Sequence, residues 1–421
     1  MWLLALCVLA CVSPFCVCEE NNLHTEYKES LSAAVADFAQ SIYSHLATSY
    51  NQDNFVFSPL SLHSALSLLY LATKDNSTTQ EQLGVAMGMV NNHELVKTAY
   101  NIVIATYRNQ KSFAYGNHIW VGKDIQLDET YNEAVTNNFD SGVSKLEFGR
   151  RKAVDEVNNW IKKLTKNEIQ TLVESFTPNT QMFIANALYF KEDWLTPFDE
   201  EDSEGKKLMV DFETPSGNAK VAMIRQISDK IRYFNFESER VEIVTIPYKN
   251  KIFEMKIIIP AGINHLMILE DMMKQNKQRD QHFDISDNGF NFFKDLTDIS
   301  EEEYEEVKLT IPKFIARSKF NAAGALKALG AKDMFSNGVD LDKIVAGGPI
   351  AVGDILHESC VEVSKNGTQG SAATGIEVTL LSLGLQKEVL VDQPFIFIIQ
   401  DKINNIPVLV GRIKDPRIEN P

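Results

Sequence analysis

The stretch from Glu362 to Pro394 decides how this chain is read. A strand-like Val361-Glu362-Val363 leads into Gly367-Thr368-Gln369-Gly370-Ser371-Ala372-Ala373-Thr374-Gly375. Ile376-Glu377-Val378-Thr379-Leu380-Leu381-Ser382 follows. Between Asn366 and Gly375 nearly every residue is small, and no proline appears until Pro394. Local preference alone reads this as a long loop. The alternation reads differently. Thr368, Gly370, Ala372, Thr374, Ile376 and Val378 form one face, uncharged and small to branched. Gln369, Ser371, Ala373, Gly375, Glu377 and Thr379 form the other, which carries the long polar side chains. A period of two is the strand signature, and the missing prolines leave every backbone N–H free for a ladder. The stretch predicts a two-state element, a loop able to become a strand buried inside a sheet.

Composition bounds the rest. With 421 residues, 44% of them hydrophobic and 23% charged, the chain can bury a large core as one big domain or two ordinary ones. A formal net charge of -16 argues against nucleic acid or an anionic membrane as the main partner, since both need concentrated positive charge. After residue 18 no apolar run approaches the roughly 20 residues of a membrane span. Residues Trp2 to Val17 are apolar and stop just before Glu19-Glu20, the shape of a secretory signal without a Lys or Arg in its first part. Cleavage is expected near Cys18, leaving a mature, secreted chain from residue 19 to 421 in the extracellular space. Cys7, Cys11, Cys16 and Cys18 all lie in that segment, so the mature chain keeps only Cys360 and can form no internal disulfide.

Leu31, Val35, Phe38, Ile42 and Leu46 recur at helical spacing and predict an amphipathic first helix. Asn54-Phe55-Val56-Phe57 reads as a short strand. Ser58-Pro59 follows, a hydroxyl for the N-cap and proline for the first helical position. Leu62, Ala65, Leu66 and Leu69 make the buried stripe of that second helix. Residues Ala114–Val121 and Met182–Phe190 predict strands, the second almost wholly apolar and therefore central. Within it Asn186 is a buried polar group that must find partners. Further strands are expected at Val241–Ile246, Phe253–Ile259, Val307–Ile311, Phe395–Ile399 and Val408–Ile413, and a helix at Ala322–Leu329 that stops at Gly330.

Together these pieces resemble the serpin family, from about Leu31 to Pro416. The resemblance is carried by Asn54-Phe55-Val56-Phe57-Ser58-Pro59-Leu60-Ser61, Asn158-Asn159-Trp160, and Asn186-Ala187-Leu188-Tyr189-Phe190-Lys191 with Trp194 and Pro197-Phe198. Ile311-Pro312-Lys313-Phe314, Phe335-Ser336-Asn337-Gly338, Asp392-Gln393-Pro394-Phe395 and Gly411-Arg412 with Pro416 complete it. The resemblance implies an α+β serpin fold, three β-sheets with eight or nine helices, in a single domain over 19–421. It makes 362–394 an exposed reactive-centre loop.

In that family the loop is bait. A protease forms its acyl-enzyme on one bond, and the cut loop inserts into the large sheet before hydrolysis finishes, a known instance of strand addition. The resemblance therefore implies a suicide-substrate inhibitor rather than an enzyme. Its partner would be a serine protease held in a covalent 1:1 complex with a monomer, and no cofactor is implied. Family loops place the scissile bond fifteen residues on from the hinge glycine, counted inclusively, which from Gly367 reaches Leu381-Ser382. Leu380 or Leu383 would give the same chemistry. A leucine there suits the apolar primary pocket of chymotrypsin-like proteases, elastase- or cathepsin G-like ones included, where trypsin-like ones want a cation. By the same resemblance Gly367, Thr368, Gln369, Gly370, Ser371, Ala372, Ala373 and Thr374 form the hinge. Ser58, Ser61, Asn186 and His357 match the shutter, a polar cluster beneath the sheet. Trp194, Lys313 and Lys365 match the breach at its top, where insertion begins.

Lys365 departs from the pattern, because an acid usually stands there opposite the equivalent of Lys313. Lysine would face lysine, and the top of the sheet is expected to open easily. Asn76-Ser77-Thr78 and Asn366-Gly367-Thr368 are glycosylation patterns. Lys162, Lys163 and Lys166 read as a solvated helix face rather than a heparin site. The alternatives are a non-inhibitory serpin acting as carrier or chaperone, and a secreted hydrolase. The first would carry charged, bulky or proline residues in its hinge. The second would need a nucleophile elbow or a metal motif, and the chain shows neither Gly-x-Ser-x-Gly nor His-Glu-x-x-His.

Overall fold

A computed structural model describes residues 14–90, 92–108, 110, 113–177, 179–236, 240–279, 292–293, 306–336, 339, 341–344, 350–368 and 386–418. Helix α1 runs Pro14–Ser49, continuous across residue 18, and turns Leu31, Val35, Phe38, Ile42 and Leu46 to the core as the spacing predicts. Strand β1 (Phe55–Phe57) leads into α2 (Pro59–Ala72), where the Ser58 hydroxyl caps by accepting from the Ser61 N–H and Pro59 takes the first helical position. Nearly all of α2 is buried, including Ser61, His63, Ser64 and Ser67. A helix buried all round lies inside the fold, and α2 sits between the large sheet and β17 (Ile406–Ile413).

Three sheets are present. The largest contains β3 (Gly142–Leu146), β2 (Phe113–Gly122), β4 (Met182–Phe190) and β13 (Ile355–Ser364), with β12 (Phe314–Asn321) on the far edge of β13. β4 and β13 pair in parallel, Ile184 opposite Ile355 and Asn186 opposite His357. A second sheet orders β1, β17, β16 (Phe395–Asp401), β10 (Phe253–Pro260), β9 (Val241–Pro247) and β8 (Arg232–Phe236). The third orders β15 (Lys387–Leu390), β11 (Val307–Pro312), β7 (Gly217–Ser228) and β6 (Met209–Thr214). Among the described residues there are eight α-helices. α3 (Thr78–Met87), α4 (His93–Tyr107) and α5 (Glu129–Phe139) precede α6 (Arg151–Leu164), and α7 (Ile263–Arg279) and α8 (Ala323–Ala328) follow.

The eight strands expected away from the reactive stretch are present, most a residue or two longer and the first a residue shorter. β6, β7, β12 and α7 were not read from the sequence. β6 is partly exposed, and Asp211 and Glu213 interrupt its apolar residues, so it lacks an apolar run. β4 is buried at every position because both faces are covered. Ile184, Leu188 and Phe190 join the main core. Phe183, Ala185 and Ala187 pack under Ala153, Val157 and Ile161 of α6. The large sheet is thus roofed by α6 and floored by α2.

Candidate functional site

The site is the seam between β4 and β13. On its floor side the four residues expected to cluster do so, all fully buried. The Ser58 N–H donates to His357 Nε2 at 3.0 Å, so that nitrogen is the acceptor. Nδ1 therefore carries the hydrogen and donates to Asn186 Oδ1 at 2.6 Å. Asn186 Nδ2 reaches the Ser61 carbonyl and hydroxyl, both at 2.6 Å, and also Asn117 Oδ1. Burial pushes the His357 imidazole down to about 3, so the ring is neutral at physiological pH. Sequence reasoning missed Asn117 on β2, Ser64 behind it at 3.0 Å, and the Ser359 hydroxyl, 2.9 Å from His357 Nε2. Ser359 carried a usable signal, standing two residues along the same strand face as His357.

At the top of the seam the structure departs from an exposed loop. Gly367 and Thr368 already form a two-residue strand, β14, antiparallel both to β13 (Thr368 opposite Val363) and to β5 (Glu192–Asp193, Thr368 opposite Glu192). Thr368 is fully buried, and its hydroxyl lies 2.6 Å from the Tyr248 hydroxyl. Gly367 is required by close approach. A Cβ there would stand 2.6 Å from Asp193 Cα, and its φ of 158° lies where side chains rarely fit. Trp194 Nε1 donates to the Ser364 carbonyl at 3.0 Å, its backbone N–H donates to Asn366 O at 2.9 Å, and its ring stacks 4.5 Å from Tyr248.

Lys313 and Lys365 do not face each other unpaired, which corrects the expectation of mutual repulsion. Glu200 stands between them, 2.5 Å from Lys313 Nζ and 3.6 Å from Lys365 Nζ. The Lys313 hydrogen bond is the main cause holding the Glu200 carboxyl below its usual range. Glu200 belongs to the acidic run Asp199–Asp202, and nothing in the local sequence singles it out. Tyr248 likewise gave no signal.

Gln369, Gly370, Ser371, Ala372, Ala373, Thr374, Leu381 and Ser382 lie outside the described residues. Asn76 is exposed at a positive φ of 60°, and Asn366 is half-buried in the turn before β14. Lys163 and Lys166 are exposed, Lys162 is half-buried, and Lys166 lies 5.5 Å over the Tyr189 ring. Among the described residues no group of three His, Cys, Asp or Glu could hold a metal.

The serpin (serine protease inhibitor) family model matches residues 33–416, and the chain belongs to that family. It is 26% identical to a serine protease inhibitor of Cyanea capillata over 92% of this chain and 99% of that one. Among solved structures, Serpin48 of the insect Tenebrio molitor superposes with a TM-score of 0.77 at 23% identity, covering 92% of this chain and 98% of that one. Human thyroxine-binding globulin, solved with its hormone, superposes at 0.76 with 19% identity, over 93% and 99%. The fold is the serpin fold. The family's members are protease inhibitors for the most part, and a thyroxine-binding globulin stands among the structural neighbours.

Proposed function

We propose that the protein is a secreted, monomeric suicide-substrate inhibitor of chymotrypsin-like serine proteases that inserts its cut loop into the β4–β13 seam. The observation that carries the reading is the register of β14. Continuing its pairing with β13 downward sets Gly370 beside Val361, Ala372 beside Ser359 and Thr374 beside His357. Continuing its pairing with β5 sets Thr374 beside Asn186 as well. His357 and Asn186 already face each other across the closed seam, so the strands need only part sideways. The same continuation turns the uncharged face of the loop to the floor, where Thr368 is already buried. A polar or charged floor face would make insertion costly.

In the proposed reaction the protease serine attacks the Leu381 carbonyl, and the Leu381–Ser382 bond breaks. Ser382 leaves as a new amino terminus while Leu381 stays esterified to the enzyme. Insertion then turns solvated backbone groups into ladder hydrogen bonds and covers an apolar face. The reading is tested by mixing the mature protein with chymotrypsin. An SDS-stable 1:1 adduct is expected, with a released fragment beginning at Ser382. Leu381→Arg is expected to shift trapping to trypsin-like enzymes, because only the primary-pocket contact changes. Cleavage with no adduct and no gain in thermal midpoint would place the chain among non-inserting, non-inhibitory carriers.

A further inference from the structure

A cavity of about 560 Å³ lies away from the seam, along α6. Ala153, Val157 and Ile161 turn one face of that helix to the sheet. Arg151, Asp155, Asn158 and Lys162 follow one another at steps of four and three, so they share another face, and all four line the cavity. From Arg151 to Lys162 that face covers about 16 Å of helix axis. The other wall is the segment after α6, which turns back beside it. Asn158 fastens the two walls together. Its Oδ1 accepts from the Leu172 and Val173 N–H groups at 2.8 and 3.1 Å, and its Nδ2 donates to the Val173 carbonyl at 2.8 Å. Phe176 packs edge-on against Phe148 at 5.0 Å, just ahead of the start of α6. The segment therefore runs antiparallel to the helix.

Four charged groups border this cavity with nothing in the protein to hold them. Among the described residues the side chains of Arg151, Asp155, Lys162 and Glu174 form no ion pair and no hydrogen bond, whereas Arg150 is taken by Glu147 at 3.0 Å. Arg151 and Asp155 stand four apart with the base ahead of the acid, the weaker order for a pair within a helix. The second wall adds backbone groups. The N–H groups of Glu174, Ser175 and Phe176 and the carbonyls of Leu172 and Glu174 have no partner among the described residues. Val154, Val173 and Phe176 supply apolar contact between the charges.

We infer that this cavity binds a short extended peptide with an acid at each end and a lysine or arginine between them. Arg151 and Lys162 stand at the two ends and take acids, while Asp155 and Glu174 lie between and take a cation. Along the helix axis Asp155 is about 6 Å from Arg151 and about 10 Å from Lys162. An extended chain advances roughly 3.3 Å per residue. Its cation then belongs two residues from the acid that meets Arg151 and three from the acid that meets Lys162. The free backbone groups of the second wall can pair with the peptide backbone, as an added strand would. The two unpaired cations also set the ends of the cavity apart on a chain of net charge -16.

The cavity's walls are also the cover of the large sheet, since Val157, Ile161, Leu172 and Val173 pack with Phe183, Ala185 and Ala187 of β4. A peptide held between the walls ties that cover down. Amide exchange over 182–190 should slow by up to about tenfold at ten times the Kd, a readout that needs no protease. The effect on inhibition rests on the insertion reading: with chymotrypsin, saturating peptide should raise the cleaved share at the expense of the adduct. If the protein alone forms no adduct, that reading fails and direct titration still decides the site.

The titration uses the mature protein and two hexapeptides, acetyl-Asp-Gly-Lys-Gly-Gly-Glu-amide and acetyl-Glu-Gly-Gly-Lys-Gly-Asp-amide, because the charges leave chain direction open. By calorimetry at low salt one of them is expected to bind 1:1 with a Kd on the order of 0.1 mM. Binding should fade as salt rises from about 0.05 to 0.5 M. The charge-exchanged control, acetyl-Lys-Gly-Glu-Gly-Gly-Lys-amide, should bind at least roughly tenfold more weakly. Arg151→Glu and Lys162→Glu should each weaken binding roughly three- to tenfold. Replacing the peptide's aspartate by lysine should restore binding to Arg151→Glu, which only a direct contact would produce. No binding by either peptide, equal binding of the control, no rescue, or displacement by equimolar sodium sulfate overturns the proposal. Binding with unchanged exchange over 182–190 overturns the assignment to this cavity.

Discussion

The shutter and the breach lie on one seam and are built by opposite rules. The shutter is neutral, fully buried and bonded at close range, with the Asn186 side chain engaging Ser61 and Asn117 besides His357. Separating β4 from β13 there strands several donors at once, and each buried unpaired group costs about 1–3 kcal/mol. The breach is ionic and partly wet. Glu200, Lys313 and Lys365 keep 32%, 40% and 48% of their side chains exposed, so water can replace each partner. Exposed pairs of this kind are worth about 0–1 kcal/mol. The seam is already parted by Gly367 and Thr368 where parting is cheap, and closed where it is dear. Opening therefore has a direction, from the top of the sheet downward.

The strongest challenge to this contrast is Thr368→Arg. It sets a cation where Thr368 now meets Tyr248, at a cost on the order of 3–5 kcal/mol on insertion. The protein should become a plain substrate, cleaved without an SDS-stable adduct and with its top strand expelled. One-for-one trapping by this variant would mean that the buried face has been misassigned.

A smaller effect is expected at the shutter. His357→Gln should cost about 2–3 kcal/mol at neutral pH by unpairing Asn186 and the Ser58 N–H. His357 titrates at about 3 in the fold against an ordinary 6.5, so its contribution is complete above 6.5 and lost as pH falls toward 3. The slope is at most about 1.4 kcal/mol per pH unit. Thermal midpoints of wild type and variant should converge across that window. His63 and His118, both lowered to about 4 by burial, titrate in each protein and cancel in the comparison.

At the breach the expected changes are smaller still. Glu200→Gln leaves two lysines facing each other and should speed heat-induced polymerisation by roughly two- to five-fold, within the range of exposed pairs. The Glu200 carboxyl is depressed, so its contribution is present above the ordinary value of 4.5 and is lost as pH falls through the lowered one. The smallest effect belongs to Lys365→Glu. With Glu200 already bridging, the new acid removes one of its partners and sets a like charge beside it. Polymerisation should stay level or quicken slightly. A clear slowing would show that Glu200 does not hold Lys365 in solution.

The chain's own residues determined a good deal. The alternation from Thr368 to Val378, the apolar run Met182–Phe190 and the Ser58-Pro59 cap depend on neighbours in sequence, and they predicted a strand-competent loop, a central strand and the start of a helix with a buried stripe. Asn186 was legible as a group needing partners, because an amide amid apolar residues must be satisfied. Its partners Asn117 and Ser61, 69 and 125 residues away, could be found only by folding. The same holds for Glu200, one acid in an acidic run until β11 and the turn after β13 bring two lysines to it. Tyr248 meets Thr368 across 120 residues. Periodicity fixes which way a side chain faces. What waits on that face, and whether water can reach it, is decided by the other strands and helices packed there.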